Sequence, residues 1–353
     1  MPKTICFVAG HSGGHIVPCL TMAAELKEHN AAQQILFISG DAPLDRTVIG
    51  NHPALDTVAY LKTMQVPYRK PWLLPRFVFT VLRTFAASWR LLRRHRPHKV
   101  VTTGGFIAIP VCLAAWLLRI PIELFELNVL PGNTIRALAP LAQTINVVFE
   151  TTKARFPAHK TKLKPYPIRF TQRITDREEL FDTIRLHPER QTLFVIGGSQ
   201  GSQALNNLIT TWILRRSMVI SHLQVIHQAG SAEAVAHLHH WYNQHHIPSY
   251  VFAYSDQIAP LYQAADMVVT RAGSGTLAEL QFFEKKAIII PLETQITDHQ
   301  LHNAQAVAQL HPQLFTVMRQ QDIEKKADEF YQALCAVFAH PRTSPSELRR
   351  VEG

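Results

Sequence analysis

Residues 3–20 read KTICFVAGHSGGHIVPCL, an apolar run that breaks into Gly10, Gly13 and Gly14 beside His11 and His15 as a helical pattern begins. An imidazole, with an unperturbed pKa of about 6.5, can take up a proton at neutral pH. Glycines allow a tight strand-to-helix turn and bring backbone N–H groups close to whatever sits above the helix N-terminus. The turn therefore favours an anionic or polar ligand. Its spacing, G-x-x-G-G, is neither the dinucleotide fingerprint nor a P-loop, since no Lys-Ser/Thr follows.

Two further turns carry related chemistry. VIGGSQGSQAL at 195–205 places Ser199 and Gln200 among Gly197, Gly198 and Gly201, so its N–H groups and hydroxyl suit a diphosphate at the start of the next helix. In ADMVVTRAGSGTLAEL, residues 265–280, a strand ends at Arg271 and Gly273 and Gly275 make the turn. Thr276 and Glu279 then fall on the first turn expected of a helix, where a carboxylate can accept both hydroxyls of a ribose.

Elements of one kind must position all three turns. Strands are expected near 3–9, 34–38, 56–60, 98–103, 121–125 and 143–148, then near 192–196, 222–227, 249–252, 266–270 and 287–291, with helices between them. Strands that alternate with helices imply parallel sheets. The rhythm fails between Phe156 and Gln191, where FPAHKTKLKPYPIRF holds three prolines and a lysine cluster. The expected class is α/β, with two Rossmann-like doubly wound domains, 1–160 and 161–353, facing a central cleft.

Composition narrows the partners. The chain has 353 residues, 47% hydrophobic and 18% charged, which suits two globular domains. Cys6, Cys19, Cys112 and Cys335 are scattered without a CxxC pair, the pattern of buried thiols in a reducing compartment. No secretory signal is expected, and the longest uncharged apolar run, Ile107 to Leu118, is too short to span a bilayer. Between Thr57 and Ile122 there are 11 Lys and Arg and no acid, against a whole-chain net charge of +10. Within that segment WLLPRFVFTVLRTFAASWRLLRR sets Arg76, Arg83 and Arg90 on one helical stripe, flanked by Trp72, Phe77, Phe79 and Trp89. This reads as a surface for an anionic membrane. Nucleic acid is not an expected partner, because no reading motif accompanies the charge.

Seven pieces in order, GHSGGHIVP (10–18), TGGFIAIP (103–110), ELNVLPGNT (126–134), YPIR (166–169), GGSQGS (197–202), RAGSGTLAE (271–279) and DHQLHNA (298–304), resemble the MurG family. These are the UDP-N-acetylglucosamine:N-acetylmuramyl-(pentapeptide) pyrophosphoryl-undecaprenol N-acetylglucosamine transferases, of the GT-B fold. The resemblance implies inverting transfer of GlcNAc from UDP-GlcNAc to the C4 hydroxyl of lipid I, giving lipid II, on the cytoplasmic face of the plasma membrane. It implies His15 as the base; Ser199, the second turn and Arg169 at the diphosphate; Glu279 at the ribose and Thr276 on the phosphate side. The loop around Ser255 would meet the uracil edge, and Asn128 and Gln300 would read GlcNAc hydroxyls. Ser12, Gly13, Gly14, Gln200, Gly273 and Ser274 complete the substrate contacts. No cofactor and no protein-held metal are implied, in keeping with the lack of a DxD pair, and other cell-wall synthesis proteins are implied as partners. The chain departs from the family pattern at His11, Ser12, Ile109, Phe125, Leu127 and Tyr166. Those departures leave two alternatives, a UDP-sugar transferase to another lipid and a catalytically silent UDP-sugar-binding protein.

Overall fold

The computed structural model describes residues 3–10, 12–64, 67, 70–172, 177–198, 201–215, 222–255, 257–293 and 298–338. The chain divides into two compact units, Met1–Arg169 and Phe170–Gly353. In the first, β1 (Thr4–Val8), α1 (Gly13–His29), β2 (Gln34–Gly40), α2 (Pro43–Ile49), β3 (Thr57–Leu61) and α3 (Leu74–His95) lead to β4 (Lys99–Thr102). Next come α4 (Ala108–Leu117), β5 (Ile122–Glu126), α5 (Asn133–Leu138), β6 (Thr144–Val147) and β7 (Thr161–Leu163). They form one seven-stranded sheet in the order β3-β2-β1-β4-β5-β6-β7, with every pair parallel.

The apolar runs are continuous because helices cover both faces of the sheet. In β1, Ile5 and Phe7 pack with Ile16, Cys19 and Leu20 of α1, while Cys6 and Val8 pack with Val111 and Cys112 of α4. Burial pushes the Cys19 and Cys112 thiols up to about 12, so both stay protonated. Cys335 is less buried than the other three cysteines.

The second unit contains α6 (Arg177–Ile184), β8 (Gln191–Ile196), α7 (Gln203–Arg215), β9 (Leu223–Gln228), α8 (Ala232–Gln244), β10 (Ser249–Phe252) and α9 (Ala259–Ala264). It continues through β11 (Met267–Thr270), α10 (Ser274–Phe282), β12 (Ala287–Ile289), α11 (His299–Leu310), β13 (Phe315–Val317), α12 (Gln320–Lys325) and α13 (Ala327–Phe338). Its sheet, β10-β9-β8-β11-β12-β13, is also parallel throughout. Leu193 and Val195 of β8 bury one face against Ile209 and Trp212 of α7 and against Phe330 and Leu334 of α13.

Two expectations are corrected. The boundary follows Arg169 rather than residue 160, because Thr161–Leu163 forms the seventh strand of the first sheet. Each sheet also ends in a three-residue strand, β7 or β13, that the apolar pattern did not announce. Among the described residues no helix is long and apolar enough to cross a membrane.

Candidate active site

In each sheet the strand order reverses once, at β1/β4 and at β8/β11, and such switch points leave a crevice at the carboxyl ends of the strands. Every glycine turn singled out above lies at one of them. At the first, Ser12 is the extended N-cap of α1 (φ −160°), and its carbonyl accepts from His15 N at 3.1 Å and Ile16 N at 3.2 Å. Gly13 and Gly14 therefore belong to the first turn of the helix, not to the loop before it. Pro18 removes the N–H that would otherwise bond the Gly14 carbonyl.

His15 is fixed from the neighbouring strand. Thr103 Oγ1, just past β4, donates to the His15 carbonyl at 2.8 Å. A Cβ placed on Gly104 would lie 3.4 Å from His15 Cε1, so the ring rests against that glycine, and Nδ1 is buried. Gly105 takes φ +84°, and a Cβ there would sit 2.7 Å from the Gly10 carbonyl oxygen. Only glycine lets the β1 and β4 turns meet this closely.

Two carboxyl groups of the first unit are buried, one of them against this turn. Asp45, on α2, is 1% exposed, and its Oδ2 would lie 2.9 Å from a Cβ on Gly10. Glu126, at the end of β5, is 2% exposed. Its Oε1 accepts from Asn128 N at 2.9 Å and Asn128 Nδ2 at 3.1 Å, and its Oε2 from Gly132 N at 2.8 Å. Burial outweighs these donors and pushes the carboxyl up to about 7. The Asn128 amide, expected to read a sugar, thus has one donor engaged in holding its own loop. Phe125 and Leu127, the departures on either side of Glu126, are both buried core residues.

The second switch point has the opposite electrostatic character. Ser199 and Gln200, like His11, lie outside the described residues. Gly201 (φ +69°) closes the β8 turn where a Cβ would run into the Ala229 carbonyl, and Leu205 N donates to the Ser202 hydroxyl at 3.4 Å at the start of α7. That hydroxyl accepts from Arg271 Nη2 at 2.9 Å. The Arg271 guanidinium, in a residue only 6% exposed, also donates to Ile290 O at 3.2 Å and Gln320 Oε1 at 2.9 Å. All these partners are neutral, and burial lowers the Arg271 pKa. Sequence reasoning gave Arg271 only the end of a strand; the buried cation was the missed signal.

Gly273 is the N-cap of α10, followed by Ser274, and a Cβ on Gly273 would lie 3.9 Å from Thr276 Oγ1. Because α10 begins at Ser274, Glu279 stands on its second turn rather than its first. Its carboxylate is oriented by Tyr262, whose hydroxyl donates to Oε2 at 2.8 Å. Gln300, on α11, uses Oε1 to accept from Ala272 N at 3.1 Å and Leu292 N at 2.9 Å. Ser255 closes a local turn, accepting from Gln257 N at 3.1 Å. Arg169, half-buried, ends the first unit, and Phe170 packs on Phe283 at 5.1 Å in the second.

The basic apolar helix is real but turned differently from the expectation. α3 buries Thr84, Ser88 and Leu92, and Thr84 Oγ1 donates to the Lys62 carbonyl at 2.6 Å. Trp72 (70% exposed), Phe79 (64%), Val78 and Leu82 face solvent with Arg76, Arg83 and Arg90. Phe77 and Trp89 are instead half-buried, against Phe106 and Phe85. The neighbouring α4 exposes Leu113, Trp116 and Leu117, which the sequence pattern had not marked.

Comparison with known proteins agrees with this architecture. The glycosyltransferase family 28 N-terminal domain matches residues 5–147, and the family 28 C-terminal domain matches residues 192–341. The UDP-N-acetylglucosamine–N-acetylmuramyl-(pentapeptide) pyrophosphoryl-undecaprenol N-acetylglucosamine transferase of Moorella thermoacetica is 30% identical over 341 residues, 94% of this chain and 89% of that one. The Myxococcus xanthus protein of the same name is 30% identical over 306 residues, 86% of this chain and 77% of its own. The crystal structure of Acinetobacter baumannii MurG shares the fold, with TM-score 0.70 at 21% identity over 99% of this chain and 98% of that one. Coverage of both halves, with three in ten residues shared along nearly the whole length, places this chain in glycosyltransferase family 28, in the MurG family.

Proposed function

We propose that this chain transfers GlcNAc from UDP-GlcNAc to the C4 hydroxyl of lipid I, with inversion, to give lipid II. The observation that carries the reading is that His15 lies at one switch point and Glu279 at the other, in a chain 30% identical to transferases of that name. His15 takes the proton of the attacking hydroxyl. The new C1–O bond forms as the bond from C1 to the diphosphate oxygen breaks, and UDP leaves with that electron pair. With Nδ1 buried beside Gly104, the Nε2 edge is the one offered to substrate.

In the second unit the starts of α7 and α10, with the Arg271 charge behind Ser202, stabilise the developing negative charge on the diphosphate. Arg169 and the second glycine turn, including Ser199, add to this. Glu279 holds the ribose, the Ser255 loop the uracil edge, Thr276 the phosphate side, and Gln300 and Asn128 the GlcNAc ring. The exposed aromatic and aliphatic side chains of α3 and α4, among Arg76, Arg83 and Arg90, rest the first unit on the anionic cytoplasmic leaflet that holds the acceptor's lipid tail.

Incubation with UDP-[14C]GlcNAc and lipid I should yield labelled lipid II, and diacylglycerol should remain unlabelled. Label on diacylglycerol alone would assign a different acceptor. Retention of UDP-GlcNAc without transfer to either would make the chain a binding protein.

A further inference from the structure

We propose that Tyr262 is a positioning residue for the nucleoside: its buried phenol fixes the Glu279 carboxylate in the orientation that meets a vicinal diol, making the site selective for ribose over deoxyribose. The inference rests on Glu279 as the ribose-binding group. Tyr262 is fully buried on α9. Its ring stacks on Phe283 at 5.3 Å with an interplanar angle of 16° and meets Phe194 edge-on at 5.4 Å and 66°. Phe170 packs on the other partner, Phe283, at 5.1 Å, so the ring belongs to an aromatic cluster and has no room to swing. The hydroxyl at the tip of this fixed ring donates to Glu279 Oε2 at 2.8 Å.

The bond joins α9 and α10, the helices on either side of β11, and thus ties the carboxylate to the switch-point strand itself. An ionised carboxylate has acceptor sites on both oxygens. The phenol takes one on Oε2 and so fixes the direction in which the carboxylate meets the hydroxyls of a cis-diol. A flexible glutamate would lose side-chain freedom on gripping that diol, whereas one already held loses little. Removing the phenolic oxygen should therefore cost affinity for ribonucleotides and change little for a nucleotide that lacks the 2′-hydroxyl.

The test is calorimetric titration of the full chain with UDP and with 2′-deoxy-UDP, for the unaltered protein, Tyr262→Phe and Glu279→Gln. The unaltered protein should prefer UDP by about tenfold or more, and Tyr262→Phe should shrink that preference to about threefold through UDP alone. Glu279→Gln should abolish it. If Tyr262→Phe weakens both nucleotides equally, or keeps the full preference while Glu279→Gln loses it, the positioning role is overturned and the ribose role of Glu279 stands. If the unaltered protein binds neither nucleotide, the nucleotide site itself is refuted, and the role of Tyr262 falls with it.

Discussion

The two switch points share a plan, a parallel sheet whose strand order reverses beside a glycine turn, and differ in what is buried behind the turn. Beside the first turn, against Gly10, stands the buried carboxyl group of Asp45. Behind α7 and α10 stands the guanidinium of Arg271, among neutral partners. An N-terminal helix dipole attracts anions at both places, but the buried charge reinforces that attraction only in the second unit. Two units of one plan thus differ in charge through a few side chains beneath the turn. On the proposed reading the diphosphate belongs to the second unit, and the first holds the acceptor hydroxyl and the base that deprotonates it.

This contrast can be broken most severely at His15. His15→Ala should lower turnover by about 10²- to 10⁴-fold while UDP affinity stays within about twofold, because the base acts on the hydroxyl and not on the nucleotide. Steady-state transfer assays beside UDP titrations check both halves.

A second contrast lies in pH. The fold raises the Glu126 pKa from 4.5 to about 7, so its contribution to stability is complete below about pH 4.5 and is lost as pH rises through 7, by about 3 kcal/mol in all. His227, buried between Tyr242 and Asn206, is lowered from 6.5 to about 3, so its contribution is present above about pH 6.5 and is lost as pH falls towards 3. Hydrogen exchange between pH 4.5 and 6.5 should show β5 losing protection as pH rises and β9 gaining it. Glu126→Gln should flatten the first slope without touching the second.

Arg271→Met should weaken UDP by about 2 kcal/mol and leave uridine nearly unchanged, since the lost charge acts on phosphates. Equal losses for both ligands would reduce Arg271 to a packing residue. The smallest effect is expected at the surface: Arg83→Ala should weaken binding to vesicles containing phosphatidylglycerol by about 1 kcal/mol, less at high salt, with soluble UDP binding unchanged.

Much of the fold was legible because parallel strands buried on both faces are continuous apolar runs, as TICFV and TLFVI are. The edge strands TKL and FTV were not, since three residues with exposed positions leave no run to see. The glycine turns at both switch points could be found through glycine spacing and motif resemblance. Their supports could not: Tyr262 and Glu126 reach their partners through tertiary packing, and nothing local distinguishes a buried Arg271 from a solvated one. The helix from Leu74 was read correctly as basic and apolar, yet its inward face is Thr84, Ser88 and Leu92, which no hydrophobic period would select.

The most direct test of the division between the units is a crystal structure of the chain with UDP bound. The ribose should rest on Glu279 beside Tyr262, with the diphosphate over the starts of α7 and α10 and no phosphate at Gly13–His15. A diphosphate found over the start of α1, with Glu279 untouched, would contradict the account.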